Sequence, residues 1–312
     1  MPEPSLSATT IRMLEGAGLD VAAVERVVTA ALDEDLGDVG DITSMATVPD
    51  GQQSMTADYV SRGTGVVAGL PLVAATYDLV AAGQAAITFS VEDGTRVAPG
   101  QALASVRSPA QALLVAERTS LNLLGHLSGI ASLTRRWADA VDGTGARIRD
   151  TRKTTPGLRD LEKYAVRCGG GVNHRRGLFD AYLVKDNHVA AAGGVAAALR
   201  RVEKARRPDV DVQVEVDDMD QLAEALRYQP PSILLDNFTV DELASAVRLI
   251  RSSAPGTAIE ASGGLQLANA RAVAETGVDF LAVGQLTHSA PQLDIGLDVR
   301  LDVRRESIVA LG

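Results

Sequence analysis

The residues of this chain that can do chemistry are two lysines, a run of arginines and a spaced pair of carboxylates. Asp150 to His188 reads DTRKTTPGLRDLEKYAVRCGGGVNHRRGLFDAYLVKDNH. From Arg118 to Lys185 there are 13 Lys and Arg against 6 Asp and Glu, in a chain whose formal net charge is −10. An acidic protein that gathers its cations in one stretch focuses field on an anion instead of coating a surface. Only four of its 30 basic residues are lysines, and Lys153 and Lys185 lie in this stretch. A lysine offers a compact point charge that a planar guanidinium does not replace. Arg152 and Lys153 are adjacent, so in an extended segment they point to opposite sides, one toward a carboxylate and one toward a phosphate. His174 and Arg175 follow the triplet Gly169–Gly171, where backbone can bend closely around a ligand. Arg118 stands apart, on a long helical stretch, and its destination is open.

Two further sets extend the site. Glu215 and Asp236 end consecutive apolar runs; on neighbouring parallel strands they would lie about 5 Å apart. Such a pair suits Mg²⁺, which takes a few carboxylates, waters and phosphate oxygens; salt bridges to the nearby Lys and Arg are the alternative. Ser262-Gly263-Gly264, ahead of a helix predicted from Leu267, fits a phosphate at a helix N-terminus. Gly284 and His288 follow, with His288 placed to touch that phosphate. His126, His188 and Cys168 read as structural. Together these residues describe a site for a substrate with several carboxylates, a polyphosphate and a divalent metal.

The elements that must position them alternate. Six short apolar runs, Arg147–Thr151, Ala181–Val184, Val210–Val216, Ser232–Leu235, Thr257–Ala261 and Asp279–Val283, are separated by helical patterns at Val195–Arg206, Met219–Tyr228, Val240–Ser252 and Leu267–Glu275. This rhythm predicts a parallel sheet curling toward a barrel. Nearly every run ends in an ionisable residue or a glycine pair, and in β/α barrels chemistry gathers at that C-terminal face. The N-terminal half differs: a helix over Val21–Leu36, short strands at Met55–Ser61, Gly65–Ala68, Ala86–Val91 and Ala102–Val106, a helix over Leu70–Ala82 and a long helix over Ser108–Val141. VEDGTRVAPGQALASV has the look of a biotinyl- or lipoyl-carrier hairpin, but no lysine precedes Lys153, so it reads as a structural hairpin. The expected fold is α/β, an N-terminal α/β sandwich domain followed by an incomplete, open parallel β/α barrel. Residues 1–20 form a poorly ordered extension in this reading, 21–140 the sandwich with its long helix, and 141–289 the barrel, with 290–312 packing back on the sandwich.

Composition narrows the class. The apolar runs are too short to span a bilayer, and the first twenty residues lack the pattern of a secretory signal. A single cysteine, Cys168, agrees with a reducing cytoplasm. A pI near 4.9 argues against nucleic acid or an anionic membrane as partner.

The segments EDLGDVGDITS, ERTSLNLLGHLSGIA, DTRKTTPGLRDLEKYAV, GGGVNHRRGLFDAYLVKDNH, VEVD, LLDNF, EASGG and GVDFLAVGQLTHS, spread from Val21 to Val299, resemble the quinolinate phosphoribosyltransferases, type II phosphoribosyltransferases. The resemblance implies transfer of phosphoribosyl from phosphoribosyl pyrophosphate to quinolinate with decarboxylation, giving nicotinate mononucleotide for NAD biosynthesis. It also implies Arg152, His174 and Arg175 on the two carboxylates of quinolinate, and Lys153 and Lys185 on both substrates. Glu215 and Asp236 would serve Mg²⁺ and the ribose hydroxyls, and Ser262, Gly263, Gly264, Gly284 and His288 the 5′-phosphate. Arg118 would reach the neighbouring subunit's site in a homodimer. The closest rival among enzymes is a relative of the same family that acts on another aromatic acid; a Schiff-base aldolase barrel using Lys185 or Lys153 is a second, and a silent ligand sensor is the rival outside enzymes.

Overall fold

In the computed structural model, which describes residues 5–48 and 53–300, the first described element is a helix and not a loose lead-in. Helix α1 (Ala8–Gly16) is capped by Ser7, whose hydroxyl accepts from the Thr10 N–H, and Leu14 and Leu19 are buried. The expectation of a poorly ordered extension is therefore corrected for residues 5–20; residues 1–4 lie outside the described set. The helix was hidden because it buries only Thr10 and Leu14, too few positions to show a 3.6-residue period.

Helix α2 (Val21–Leu36), capped by Asp20, and α3 (Ile42–Thr47), capped by Asp41, follow. Then come β1 (Ser54–Ser61), β2 (Gly65–Val66), α4 (Leu70–Ala81), β3 (Ala86–Phe89), β4 (Arg96–Val97) and β5 (Ala102–Pro109). Alternate residues of β1 (Ala57, Tyr59, Ser61) are buried, the two-residue period of a half-covered strand. The sequence LPLVAATY makes α4 buried nearly all round. Tyr59, Tyr77, Val73, Leu103 and Leu124 anchor the core of this unit. Inside it the Tyr59 hydroxyl meets the Ser120 hydroxyl at 2.5 Å and donates to the Tyr77 hydroxyl at 3.3 Å, which satisfies polar groups that burial would otherwise penalise. Burial pushes Tyr59 up to about 12. The carrier-like segment is not a two-stranded hairpin: β4 pairs with β2, whereas β5 pairs with β1 and β3.

The long helix α5 (Ala110–Ala140) leads into an alternating series: β6 (Arg147–Arg149), α6 (Arg159–Cys168), β7 (Ala181–Val184), α7 (Asp186–Ala192), α8 (Val195–Ala205), β8 (Asp211–Val216), α9 (Met219–Leu226), β9 (Ser232–Asp236), α10 (Val240–Ser253), β10 (Ala258–Ser262), α11 (Ala270–Ala274), β11 (Phe280–Ala282) and α12 (Gln285–His288). Its strands form one parallel sheet in the order β6-β11-β10-β9-β8-β7, and β6 and β7, the edges, do not pair with each other. Side chains from β6, β8 and β10, which are not neighbours, meet one another (Arg149, Gln213 and Glu260), so the sheet is curled around an interior. The result is an open β/α barrel, and its six strands fall within the apolar runs identified above or one residue beyond them. The last described strand, β12 (Ile295–Arg300), returns to pair antiparallel with β1, giving the four-stranded sheet β12-β1-β5-β3, and the rest of the expected return, 301–312, lies outside the described residues. Gly129 admits this return: a Cβ there would stand 2.2 Å from the Pro291 carbonyl oxygen.

The chain divides into two compact units, residues to Gly129 with those from Pro291 onward, and Ile130–Ala290. The division therefore falls inside α5, not at its end, and the helix's last turns belong to the barrel unit. No helix among the described residues is long and apolar enough to cross a membrane.

Candidate active site

Three neighbouring strands carry ionisable groups at their C-terminal ends: Lys185 after β7, Glu215 on β8 and Asp236 on β9. Lys185 Nζ donates to Glu215 Oε2. Burial is the main influence on Glu215 and raises it above the ordinary carboxylate range; Lys185 opposes this and the charge of Asp236 adds to it. Asp217 joins the pair, for Glu215, Asp217 and Asp236 each offer a carboxylate oxygen within 4.8 Å of the others. That donor set fits a hard divalent cation, with one carboxylate more than the sequence reading named.

Asp236 is tied to the next loop. Its Oδ2 accepts from Asn237 Nδ2 at 2.6 Å, and the Asn237 backbone N–H donates to the Ser262 carbonyl at 2.9 Å. Asn237 sits at φ +58 in the left-handed region. Gly263 accommodates it, since a Cβ there would lie 2.2 Å from Asn237 Oδ1. Lys153, Asp236, Ser262, Gly263, Gly264, Gly284 and His288 all line one cleft of about 720 Å³ in the barrel unit. Thr287 Oγ1 donates to the Lys153 carbonyl at 2.7 Å and so ties the segment after β6 to α12. The phosphate expectation needs one correction. Residues 265–269 separate the SGG loop from α11, which begins at Ala270 and spans five residues, so a loop and no helix N-terminus shapes this end of the cleft.

The arginine side is organised differently. Arg175 is pressed below its usual value first by burial and then by the charge of Arg152. The Nε atoms of both are buried without a partner. His174 does not join them as a free ligand. Its Nδ1 accepts the Arg175 N–H at 2.7 Å and its Nε2 meets Gln213 Oε1 at 2.8 Å. Burial, opposed by Glu260 and Gln213, holds the imidazole below its ordinary pKa. Gln213 Nε2 then donates to Glu260 Oε2 at 3.0 Å, which also accepts from Arg149 Nη1 at 2.7 Å. A polar layer thus fills the barrel interior beneath the strand ends. Gln213 and Glu215 lie two residues apart on β8, so both face inward.

Beneath Arg175 lies a buried ion pair. Asp150 Oδ1 accepts from Lys163 Nζ at 2.5 Å and from the His174 N–H at 2.7 Å, and Oδ2 accepts from Asn173 Nδ2 at 2.6 Å. The glycine triplet has a packing role and does not wrap a ligand. A Cβ on Gly169 would meet the Ala131 carbonyl oxygen and Thr134 Cβ, each at 2.5 Å, and one on Gly171 would meet Val166 at 2.7 Å. Small residues there let α5 approach.

The comparisons with known proteins agree with this geometry. The N-terminal and C-terminal domain models of quinolinate phosphoribosyl transferase match residues 41–128 and 130–298. The chain belongs to the quinolinate phosphoribosyltransferase family. A nicotinate-nucleotide pyrophosphorylase (carboxylating) of Mycobacterium leprae is 52% identical over 278 residues, 89% of this chain and 97% of the relative. A protein of Bacillus subtilis described as a probable enzyme of the same name is 40% identical over 268 residues, 86% of this chain and 90% of its own length. The solved nicotinate-nucleotide pyrophosphorylase of Francisella tularensis superposes with a TM-score of 0.84 at 35% identity, covering 89% of this chain and 96% of that one.

Within this family fold, the barrel unit brings together Lys185, Glu215 and Asp236 and gathers Lys153 with the glycine loops, while Arg152 and Arg175 each keep a buried Nε without a partner. Arg118 lies on an exposed turn of α5 in the other unit. Sequence reasoning missed Asn237, Asp217, Gln213 and Glu260. Asn237, Asp217 and Glu260 stood in the strand-end motifs LLDNF, VEVD and EASGG. Gln213 had no visible signal, because a polar residue inside a short apolar run points inward or outward according to a register that only the sheet defines.

Proposed function

We propose that this chain transfers the phosphoribosyl group of phosphoribosyl pyrophosphate to the ring nitrogen of quinolinate and decarboxylates the product to nicotinate mononucleotide. The observation that carries the reading is the row Lys185–Glu215–Asp236 on three adjacent strand ends. Family membership supports it. Arg forks match carboxylates in a bidentate way, so Arg152 and Arg175, whose buried Nε atoms lack acceptors, would hold the dicarboxylate. His174 holds Arg175 in place instead of gripping the substrate itself. Lys153 and Lys185 would offset charge on the substrates. Ser262, Gly263, Gly264, Gly284 and His288 would seat the 5′-phosphate.

The pyridine nitrogen attacks the anomeric carbon as the bond to pyrophosphate breaks, with the bonding pair leaving on the pyrophosphate oxygen. Electrostatic stabilisation of that developing charge, not acid–base chemistry, is the main demand on the site. Loss of the 2-carboxylate as CO₂ leaves an electron pair that the pyridinium nitrogen stabilises until carbon is protonated. Mg²⁺ would be held by Glu215, Asp236 and Asp217, and when bound it neutralises phosphate charge. With Glu215 engaged in that way, the Lys185 ammonium would be available to offset substrate charge.

A homodimer belongs to the same proposal. Arg118 is exposed and has no hydrogen-bond or ion-pair partner among the described residues, which suits a cation that serves a second copy of the chain. A cytoplasmic location suits a chain with a single cysteine. The deciding experiment mixes purified protein with quinolinate labelled at the 2-carboxylate, phosphoribosyl pyrophosphate and Mg²⁺. Labelled CO₂ and nicotinate mononucleotide are expected, and chelation of the metal should abolish both. Turnover of nicotinic acid with none of quinolinate would overturn the reading.

A further inference from the structure

Helix α5 brings to the 720 Å³ cleft two groups that the proposed reaction leaves unused. Arg136 is exposed and makes no hydrogen bond or ion pair among the described residues. Trp137, the next residue, is fully buried, yet its Nε1–H has no acceptor. Both line the cleft together with Lys153, Ser262, Gly264 and His288. A buried donor without a partner is costly to keep, and indole offers no acceptor with which to compensate. The glycine loop can supply only neutral backbone N–H groups, whereas a phosphate monoester carries close to two negative charges at neutral pH. Lys153 and Arg136 are the Lys and Arg side chains with cations along this cleft, and Lys153 is already assigned to the reacting substrates.

We propose that Arg136, on the same stretch of α5 as the cleft-lining Trp137, binds the terminal phosphate monoester of the phosphoribosyl substrate. The phosphate subsite is then built by the long helix as well as by the strand-end loops. This inference rests on the phosphoribosyl-transfer reading given above. A guanidinium fork is suited to the task because it bonds two phosphate oxygens at once.

Trp137 is the chain's one tryptophan, so its fluorescence reads this subsite directly and without turnover. Ribose 5-phosphate titrated into the full-length wild type should change the emission saturably. Arg136→Ala should weaken that binding about tenfold, the order expected for a lost hydrogen bond to a charged group. Arg136→Lys should recover part of the loss. In turnover, Arg136→Ala should raise KM for phosphoribosyl pyrophosphate by a similar factor and leave KM for quinolinate unchanged, a split that general loosening of the fold would not produce. An unchanged melting temperature checks that the variant is folded. Wild-type affinity for ribose 5-phosphate in Arg136→Ala overturns the proposal, as does a wild type that binds no ribose 5-phosphate. A wild type that binds ribose 5-phosphate through Arg136 but does not decarboxylate quinolinate keeps the subsite and sinks the reaction.

Discussion

The imidazole of His174 sits 2.8 Å from Gln213 through Nε2 while its Nδ1 accepts the Arg175 N–H at 2.7 Å. An acceptor at Nδ1 and a single proton at Nε2 describe the neutral ring, so the histidine transmits the position of the interior polar layer to Arg175.

The first prediction concerns pH. Burial lowers the His174 pKa in the folded chain, so between the folded and unfolded values the unfolded state binds more protons. The stability this group contributes is complete above the unfolded value, about 6.5, and is lost as pH falls through the lower folded value. Denaturant midpoints measured from about pH 7.5 to 5 should therefore fall more steeply in wild type than in His174→Gln. Equal slopes would show that the ring does not titrate as the structure requires. His174→Gln should also weaken quinolinate binding by loosening Arg175.

The buried pair Asp150–Lys163 makes a second case. Asp150 is fully buried and Lys163 is 4% exposed. Removing one partner of such a pair costs about 3–5 kcal/mol, because the other charge is stranded. Asp150→Ala and Lys163→Met should each lower the free energy of unfolding by that order in urea titrations. The double variant Asp150→Leu/Lys163→Met should be more stable than either single one. Additive losses would contradict the pairing.

Glycines separate structure from function in a third prediction. Gly169→Ala forces a methyl group against Ala131 and Thr134, and overpacking costs about 1–3 kcal/mol. Gly264 lies at φ +59 with open space where its Cβ would be, so Gly264→Ala should cost only about 1 kcal/mol of stability. Its larger effect should be on ribose 5-phosphate binding, measured by fluorescence. If Gly169→Ala melts like wild type, the close approach of α5 is wrong.

The shared-site proposal gives the fourth. An inactive Arg118→Ala chain re-mixed with an inactive Lys153→Ala chain should regain about a quarter of wild-type activity, since half the dimers are mixed and each holds one intact site. No recovery after verified exchange of subunits would confine Arg118 to its own chain or remove it from the reaction.

Much of the barrel was legible because its strands are short apolar runs and its helices are amphipathic. The most visible omission is α6, whose buried residues include Glu162 and Lys163. In a helix of ten residues that leaves only Leu161, Tyr164, Ala165 and Val166 as buried apolar positions, a short pattern beside so many charges. The α1 helix escaped for the opposite reason, having too few buried positions to form a pattern. Among site residues, Lys185, Glu215 and Asp236 were readable as strand-end ionisable groups. Gln213, inside an apolar run, was not.

Sequence alone determined the alternation of elements, the concentration of cations in an acidic chain, and the residue types at each strand end, because these are local properties of composition and spacing. Tertiary structure decided which of those residues act together. It turned His174 inward to Gln213, set the glycine triplet against α5, joined Asp217 to the carboxylate pair and brought Arg136 and Trp137 to the cleft. Each of these depends on distances between segments far apart in the chain, and such distances are settled only when the sheet curls and the helices pack.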